Sequence, residues 1–135
     1  MRPGAARVLV ADASASMRGV IRGVLLDVGF EHVDEATDGL TAFERFCAGA
    51  YDVVVTDWYM PRGNGLQLLR AIRHGVERSD TPVLVLTGGV SATHASEALE
   101  AGANGFVKKP IISPALSEAM LRIVAALPLV PRGQS

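Results

Sequence analysis

"YDVVVTD", residues 51–57, puts three branched apolar residues in a row and then delivers an acid. A strand covered on one face alternates apolar and polar residues. An unbroken apolar run of this length is instead covered on both faces. "PVLVLT", residues 82–87, has the same character and also ends in a polar residue, Thr87. Three further short runs, "RVLVA" (7–11), "HVDEA" (32–36) and "GFVK" (105–108), complete a set of five predicted strands.

Between the strands the period becomes helical. Met17, Val20, Ile21, Val24, Leu25 and Val28 recur at helical spacing, and Gly29 stops the pattern. Asp38 is placed to cap a second helix that buries Phe43, Phe46 and Cys47 and ends near Gly49. A third buries Leu68, Leu69 and Ile72 and ends near Gly75. The fourth, "SATHASEALEAG", offers a thin apolar face of Ala95, Ala98 and Leu99. The fifth opens with Ser113 as N-cap and Pro114 at the first helical position, and buries Leu116, Met120, Ile123 and Leu127.

Strict alternation of strand and helix predicts an α/β fold, three layers deep, with a five-stranded parallel sheet between helices. Five strands suit the flavodoxin-like (βα)5 arrangement with order 2-1-3-4-5. That order comes from the fold class and not from the residues themselves. One domain is expected over residues 1–128. The tail 129–135 contains "LVPRGQS", which resembles a thrombin-type cleavage site left by cloning; a native tail is the alternative.

Composition narrows the function classes. The 135 residues carry 13 basic and 14 acidic side chains, a net charge of -1, so no basic excess points to nucleic acid. No apolar run approaches the ~20 residues of a membrane span. The N-terminus lacks the apolar stretch of a signal peptide. Cys47 is the only cysteine, so no intramolecular disulfide forms, which agrees with a cytoplasmic location. His32, His74 and Cys47 show no metal-ligand spacing.

In such a sheet, ligands bind beyond the C-terminal strand ends. Asp12 and Asp57 end the first and third strands, Thr87 ends the fourth, and Lys109 follows the fifth. Any one of them is ordinary: acids at strand ends serve as caps and turn residues. Four together on one rim suit phosphate. A carboxylate is a nucleophile toward phosphorus, a lysine neutralises phosphoryl oxygens and a hydroxyl donates a hydrogen bond. Gly88 and Gly89 leave room for an anion.

The segments "VTDWYMP", "LTGG" and "NGFVKKP", at these spacings, resemble the receiver domain of two-component response regulators, and in length the single-domain chemotaxis type. The likeness covers about residues 7–127. It implies that Asp57 accepts a phosphoryl group from the phosphohistidine of a sensor histidine kinase, and that Thr87 and Lys109 contact it. It implies a Mg2+ site formed by Asp12, Asp57 and the backbone carbonyl of Tyr59, and a cis Lys109–Pro110 peptide. It makes Phe106 the switch aromatic; a core aromatic is the plain alternative. The implied output is a partner-binding change on the face of the fourth helix, fifth strand and fifth helix, a face also open to homodimerisation. The domain would be a signalling phosphoacceptor that assists its own Mg2+-dependent transfer and hydrolysis, with no nucleic-acid or membrane partner.

The chain also departs from that family. Two adjacent acids usually follow the first strand; here Asp12 is followed by Ala13. Since the second acid is the family's direct metal ligand, a weakened Mg2+ site is expected. "MPRGNG" replaces the usual Met-Pro-x-Met-Asp-Gly, so Asn64 keeps a capping function without the charge and Gly63 loosens the loop. Tyr59 and Gly89 occupy positions that tune phosphoryl loss in the family. His94 reads as a solvated helix residue, with a contact to a partner as the alternative. Two competing readings follow: a pseudo-receiver that binds its partner without phosphorylation, and a flavin carrier. The loop "DASASMR" lacks the glycines expected to cradle a flavin phosphate, which disfavours the second.

Overall fold

A computed structural model describes residues 1–76, 78–88, 92–111 and 113–128. Strands β1 (Arg7–Ala11), β2 (His32–Ala36), β3 (Val53–Asp57), β4 (Val83–Thr87) and β5 (Gly105–Lys108) alternate with helices α1 (Ala15–Asp27), α2 (Gly39–Ala48), α3 (Gly65–Arg73), α4 (Ala92–Glu100) and α5 (Ser113–Ala125). The strands form one parallel sheet in the order β2-β1-β3-β4-β5, the order expected of a flavodoxin-like α/β fold.

The period of two along each strand sorts its side chains between two cores. Val8, Val10, Val53, Val55, Leu84 and Leu86 pack with Ile21 and Leu25 of α1 and with Leu116 and Met120 of α5. Their neighbours Leu9, Ala11, Val54, Val83 and Val85 face the other way, onto Phe46 of α2, Leu69 and Ile72 of α3 and Ala98 of α4. Both faces of β3 and β4 are therefore covered, which is why their sequences are uninterrupted apolar runs.

Local chemistry fixes where the helices begin. Ser14 caps α1 by accepting from the Met17 amide at 3.2 Å, and Asp38 caps α2 by accepting from Thr41 at 2.7 Å. Asn64 and Gln67 form a reciprocal capping box at α3, each side chain accepting from the other's backbone at 2.8 Å. At α5 the helix already includes Ser113, so Pro114 stands one position later than expected.

Several expected core residues are not buried. Cys47 is exposed; Phe46 alone is fully buried from that trio, with Phe43 partly covered. Val20 and Leu99 lie at the solvent edge of their helical stripes and are exposed. In α5 Val124 is buried and Ile123 only partly, because the stripe is rotated by one residue. Strand β3 begins at Val53; just before it, the Asp52 amide donates to the Arg7 carbonyl at 2.8 Å while the Asp52 side chain accepts the Arg7 amide at 2.9 Å. Gly89 and the tail 129–135 lie outside the described residues. Among the described residues no helix is long and apolar enough to cross a membrane.

Candidate functional site

β1 and β3 are neighbours, and the chain leaves β1 toward β2 but leaves β3 toward β4. The crevice between their C-terminal ends is thus the switch point of the sheet. Asp57 terminates β3 and Asp12 directly follows β1, so topology brings two carboxylates from distant segments to the same crevice. Thr87 terminates β4 in register with Lys108, and Lys109 follows.

Asp12 is 1% exposed and Asp57 8%. Two buried acids at close range repel and lose hydration, a cost that demands a partner. Lys109 supplies it. Its Nζ lies 2.9 Å from Asp12 Oδ2 and 3.1 Å from Asp57 Oδ2. The remaining oxygens are held by backbone: the Ser14 amide donates to Asp12 Oδ1 at 2.9 Å, and the Trp58 amide donates to Asp57 Oδ1 at 2.8 Å. The Lys109 amide donates to the Thr87 carbonyl at 2.8 Å, which fixes where the ammonium stem starts. The Lys109–Pro110 peptide is cis.

Electrostatics follow from this packing. Burial raises the Asp57 carboxyl above its ordinary value; Lys109 pulls it down and Asp12 pushes it up again. For Lys109 burial disfavours the ammonium, yet the hydrogen bonds and charges of Asp12 and Asp57 outweigh it, and its net shift is upward. The lysine stays charged and the aspartate is costly to keep ionised. Two carboxylates against one ammonium favour a further cation at the crevice, and an incoming phosphoryl group depends on Lys109 for neutralisation.

The structure brings Asp12, Asp57 and Lys109 into direct contact and sets Thr87, buried, at the adjoining strand end. Phe106 is 37% exposed on β5, with its ring outside the core. Ala13, where a second acid was expected, is exposed. Among the described residues no group of three or more His, Cys, Asp and Glu could hold a metal ion. The carboxylates of Asp12 and Asp57 are still donors of the kind Mg2+ takes: it usually binds one or two protein carboxylates and fills its shell with water and phosphate oxygens. The residues present therefore fit the ion, with fewer anionic donors than the family supplies.

Two neighbours carry more than their sequence positions revealed. Trp58 is buried, and its amide holds Asp57. His94 is not a solvated helix residue: its ring stacks on Trp58 with centroids 4.3 Å apart, and its Nε2 lies 3.3 Å from the Tyr59 hydroxyl. No spacing rule finds such a contact, because it joins a loop to a helix some way along the chain.

The loop after β3 is fastened from outside. Arg62 and Gly63 adopt positive φ of 54° and 113°. The Leu40 amide donates to the Arg62 carbonyl at 2.9 Å, and the Arg62 guanidinium reaches Asp38 at 3.2 Å. Gly63 thus serves a defined turn against α2; it does not simply loosen the loop.

Residues 8–121 match the family model of the response regulator receiver domain. Chemotaxis protein CheY-3 of Vibrio cholerae is 38% identical over 121 residues, covering 90% of this chain and 93% of that protein. Chemotaxis protein CheY of Pseudomonas aeruginosa is 38% identical over 117 residues, covering 87% and 94%. The crystal structure of chemotaxis response regulator CheY4 of Vibrio cholerae superimposes with a TM-score of 0.80 at 31% identity, covering 87% of this chain and 98% of that one. With that fold, that strand order and this match over most of its length, the chain belongs to the receiver-domain family of two-component response regulators, and its relatives include chemotaxis-type receivers.

Proposed function

We propose that Asp57 is the phosphoacceptor of this receiver, taking a phosphoryl group from the phosphohistidine of a sensor histidine kinase. One observation carries the reading: the Lys109 ammonium lies between two buried carboxylates at the switch point of the sheet. In the transfer an Asp57 oxygen attacks phosphorus in line, an acyl phosphate forms, and the N–P bond breaks with its electron pair passing to the imidazole. Lys109 then exchanges its Asp57 contact for a phosphoryl oxygen, and the Thr87 hydroxyl donates to another. Asp12 keeps the lysine oriented throughout. Asp12, Asp57 and the Tyr59 carbonyl would hold Mg2+, which when bound neutralises charge on the transferring group. Lacking an acid at Ala13, the site should need more Mg2+ than a receiver with both acids.

Phosphorylation replaces the single charge of the Asp57 carboxylate by a phosphoryl group carrying nearly two, and biases a two-state domain. The output face is α4, β5 and α5, where exposed Phe106 borders a groove of about 780 Å³ between β5 and α5. Its occupant is an output protein or a second copy of the chain. The receiver unit spans residues 1–128 and works in the cytoplasm, without direct contact to nucleic acid. Incubation with a small phosphodonor and Mg2+ should give an adduct of about 80 Da by mass spectrometry, absent in Asp57→Asn. No adduct at any Mg2+ concentration, or an adduct that survives Asp57→Asn, would sink the reading.

A second reading is a pseudo-receiver, a phosphorylation-independent interaction module. Exposed Ala13 in place of an acid motivates it. Partner binding indifferent to Asp57→Ala supports it; strict dependence on phosphorylated Asp57 removes it.

A further inference from the structure

Helix α4 is weakly attached. Of its described side chains only Ala98 is fully buried, and Leu99 is exposed. His94 is the one ring the helix carries. That ring lies nearly flat on Trp58, 13° from parallel, and meets the Tyr59 ring edge-on at 5.5 Å. Trp58 and Tyr59 are the two residues that follow Asp57, so this imidazole joins α4 to the loop that leaves the phosphorylation site.

Trp58 passes that attachment to the reacting group. Its amide is shared between the Leu86 carbonyl of β4 at 2.9 Å and Asp57 Oδ1 at 2.8 Å. Its carbonyl accepts the Gly65 amide at 2.8 Å, where α3 begins. A displacement of the indole that carries the Trp58 backbone with it changes the hydrogen bond on the Asp57 carboxylate.

His94 is also incompletely satisfied. Nε2 has the Tyr59 hydroxyl, but Nδ1 is buried without a hydrogen-bond partner among the described residues. A buried polar atom without a partner carries its desolvation cost uncompensated. The present seat of the ring is thus held by stacking against an unfavourable polar term, and a shift of α4 that gives Nδ1 a partner relieves that term. Such a contact is suited to a two-state element.

We propose that His94 is a positioning residue for the phosphoryl chemistry, acting through Trp58 and Tyr59 and coupling the seat of α4 to the state of Asp57. The proposal rests on Asp57 being the phosphoacceptor. Phosphorylation alters the Trp58 amide contact, the indole moves, and the His94 stack reports this to α4; displacement of α4 by a partner acts back on Asp57 by the same route.

The chain holds a single tryptophan, Trp58, so its emission reads the stack directly. The test loads the whole chain with acetyl phosphate and Mg2+ and follows both emission and adduct. In His94→Ala the rate constants for gain and loss of the adduct should change by about three-fold or more, and the Trp58 emission change on phosphorylation should shrink. His94→Phe keeps the stack but loses the Tyr59 hydroxyl, so it should restore the emission change while only partly restoring the rates. Ala95→Gly loosens α4 without touching Trp58 and should leave both readouts near wild type. Unchanged rates and emission in His94→Ala, with wild type taking the adduct, overturn the proposal. Ala95→Gly reproducing His94→Ala overturns it in favour of general helix stability. Wild type taking no adduct instead overturns the phosphoacceptor reading, and this proposal with it.

Discussion

Lys109 and Asp12, 97 positions apart in sequence, meet at 2.9 Å in a crevice where the carboxylate is almost wholly buried. The contact sets the resting charge of the site, because the same ammonium also serves Asp57. Lys109→Met would leave two buried acids facing each other with no cation. Breaking a buried pair by removing one partner costs about 3–5 kcal/mol, and partial exposure here brings the expected loss to about 2 kcal/mol at neutral pH. Urea unfolding measures it. The loss should shrink in acid, where protonation of the acids removes their repulsion; a loss independent of pH would contradict the pairing.

Asp57 leads to the opposite outcome. Its folded-state carboxyl is raised above the unfolded value, by burial first and by Asp12 second. The folded protein therefore binds that proton more tightly than the unfolded chain does. No penalty exists below the unfolded pKa, where both states are protonated; it grows as pH rises through the folded value and persists above it. Asp57→Asn should raise the melting temperature by a few degrees at pH 7 and confer little gain at pH 3. Scanning calorimetry at the two pH values checks the sign.

β1, β3 and β4 were legible because burial on both faces writes itself into consecutive branched residues. β2 and β5 were weak in sequence because they are the sheet edges: β2 alternates and β5 keeps only Val107 buried. The rim residues Asp12, Asp57, Thr87 and Lys109 were legible because strand ends are fixed by the same runs. Val20, Cys47 and Leu99 were misplaced because helical spacing gives the centre of an apolar stripe better than its margins. The His94–Trp58 stack was illegible: it depends on the path of a loop, which periodicity does not encode.

Gly65 begins α3, close behind the end of β3. A Cβ built there collides with the Asp57 carbonyl oxygen, a backbone atom that cannot turn aside. Gly65→Ala should therefore destabilise the fold by about 1–3 kcal/mol, as overpacking does. It should also slow adduct formation at Asp57 even at temperatures where the fold is intact. Urea unfolding and adduct kinetics measure the two effects; normal kinetics in a destabilised but folded variant would show that the carbonyl can shift without moving the carboxylate.

Ala13→Asp restores the acid that the family places beside Asp12. Position 13 is exposed, so the new carboxylate is accommodated without a core clash. Two unit charges at 4 Å in a partly exposed setting interact by about 4 kcal/mol, and a divalent ion by roughly twice that, before desolvation is subtracted. Even a small surviving fraction should tighten Mg2+ binding by about ten-fold or more, equivalent to about 1.4 kcal/mol. Without Mg2+ the variant should be less stable than the parent, since three acids then face the single ammonium of Lys109. With saturating Mg2+ the order should reverse, because an ion that binds the folded state stabilises it by mass action. Isothermal titration with Mg2+, paired with melting curves in its presence and absence, reads both effects. Equal Mg2+ affinity in parent and variant would mean that Asp12, Asp57 and the Tyr59 carbonyl already form a sufficient site, and the expected weakness of this receiver's metal binding would be wrong.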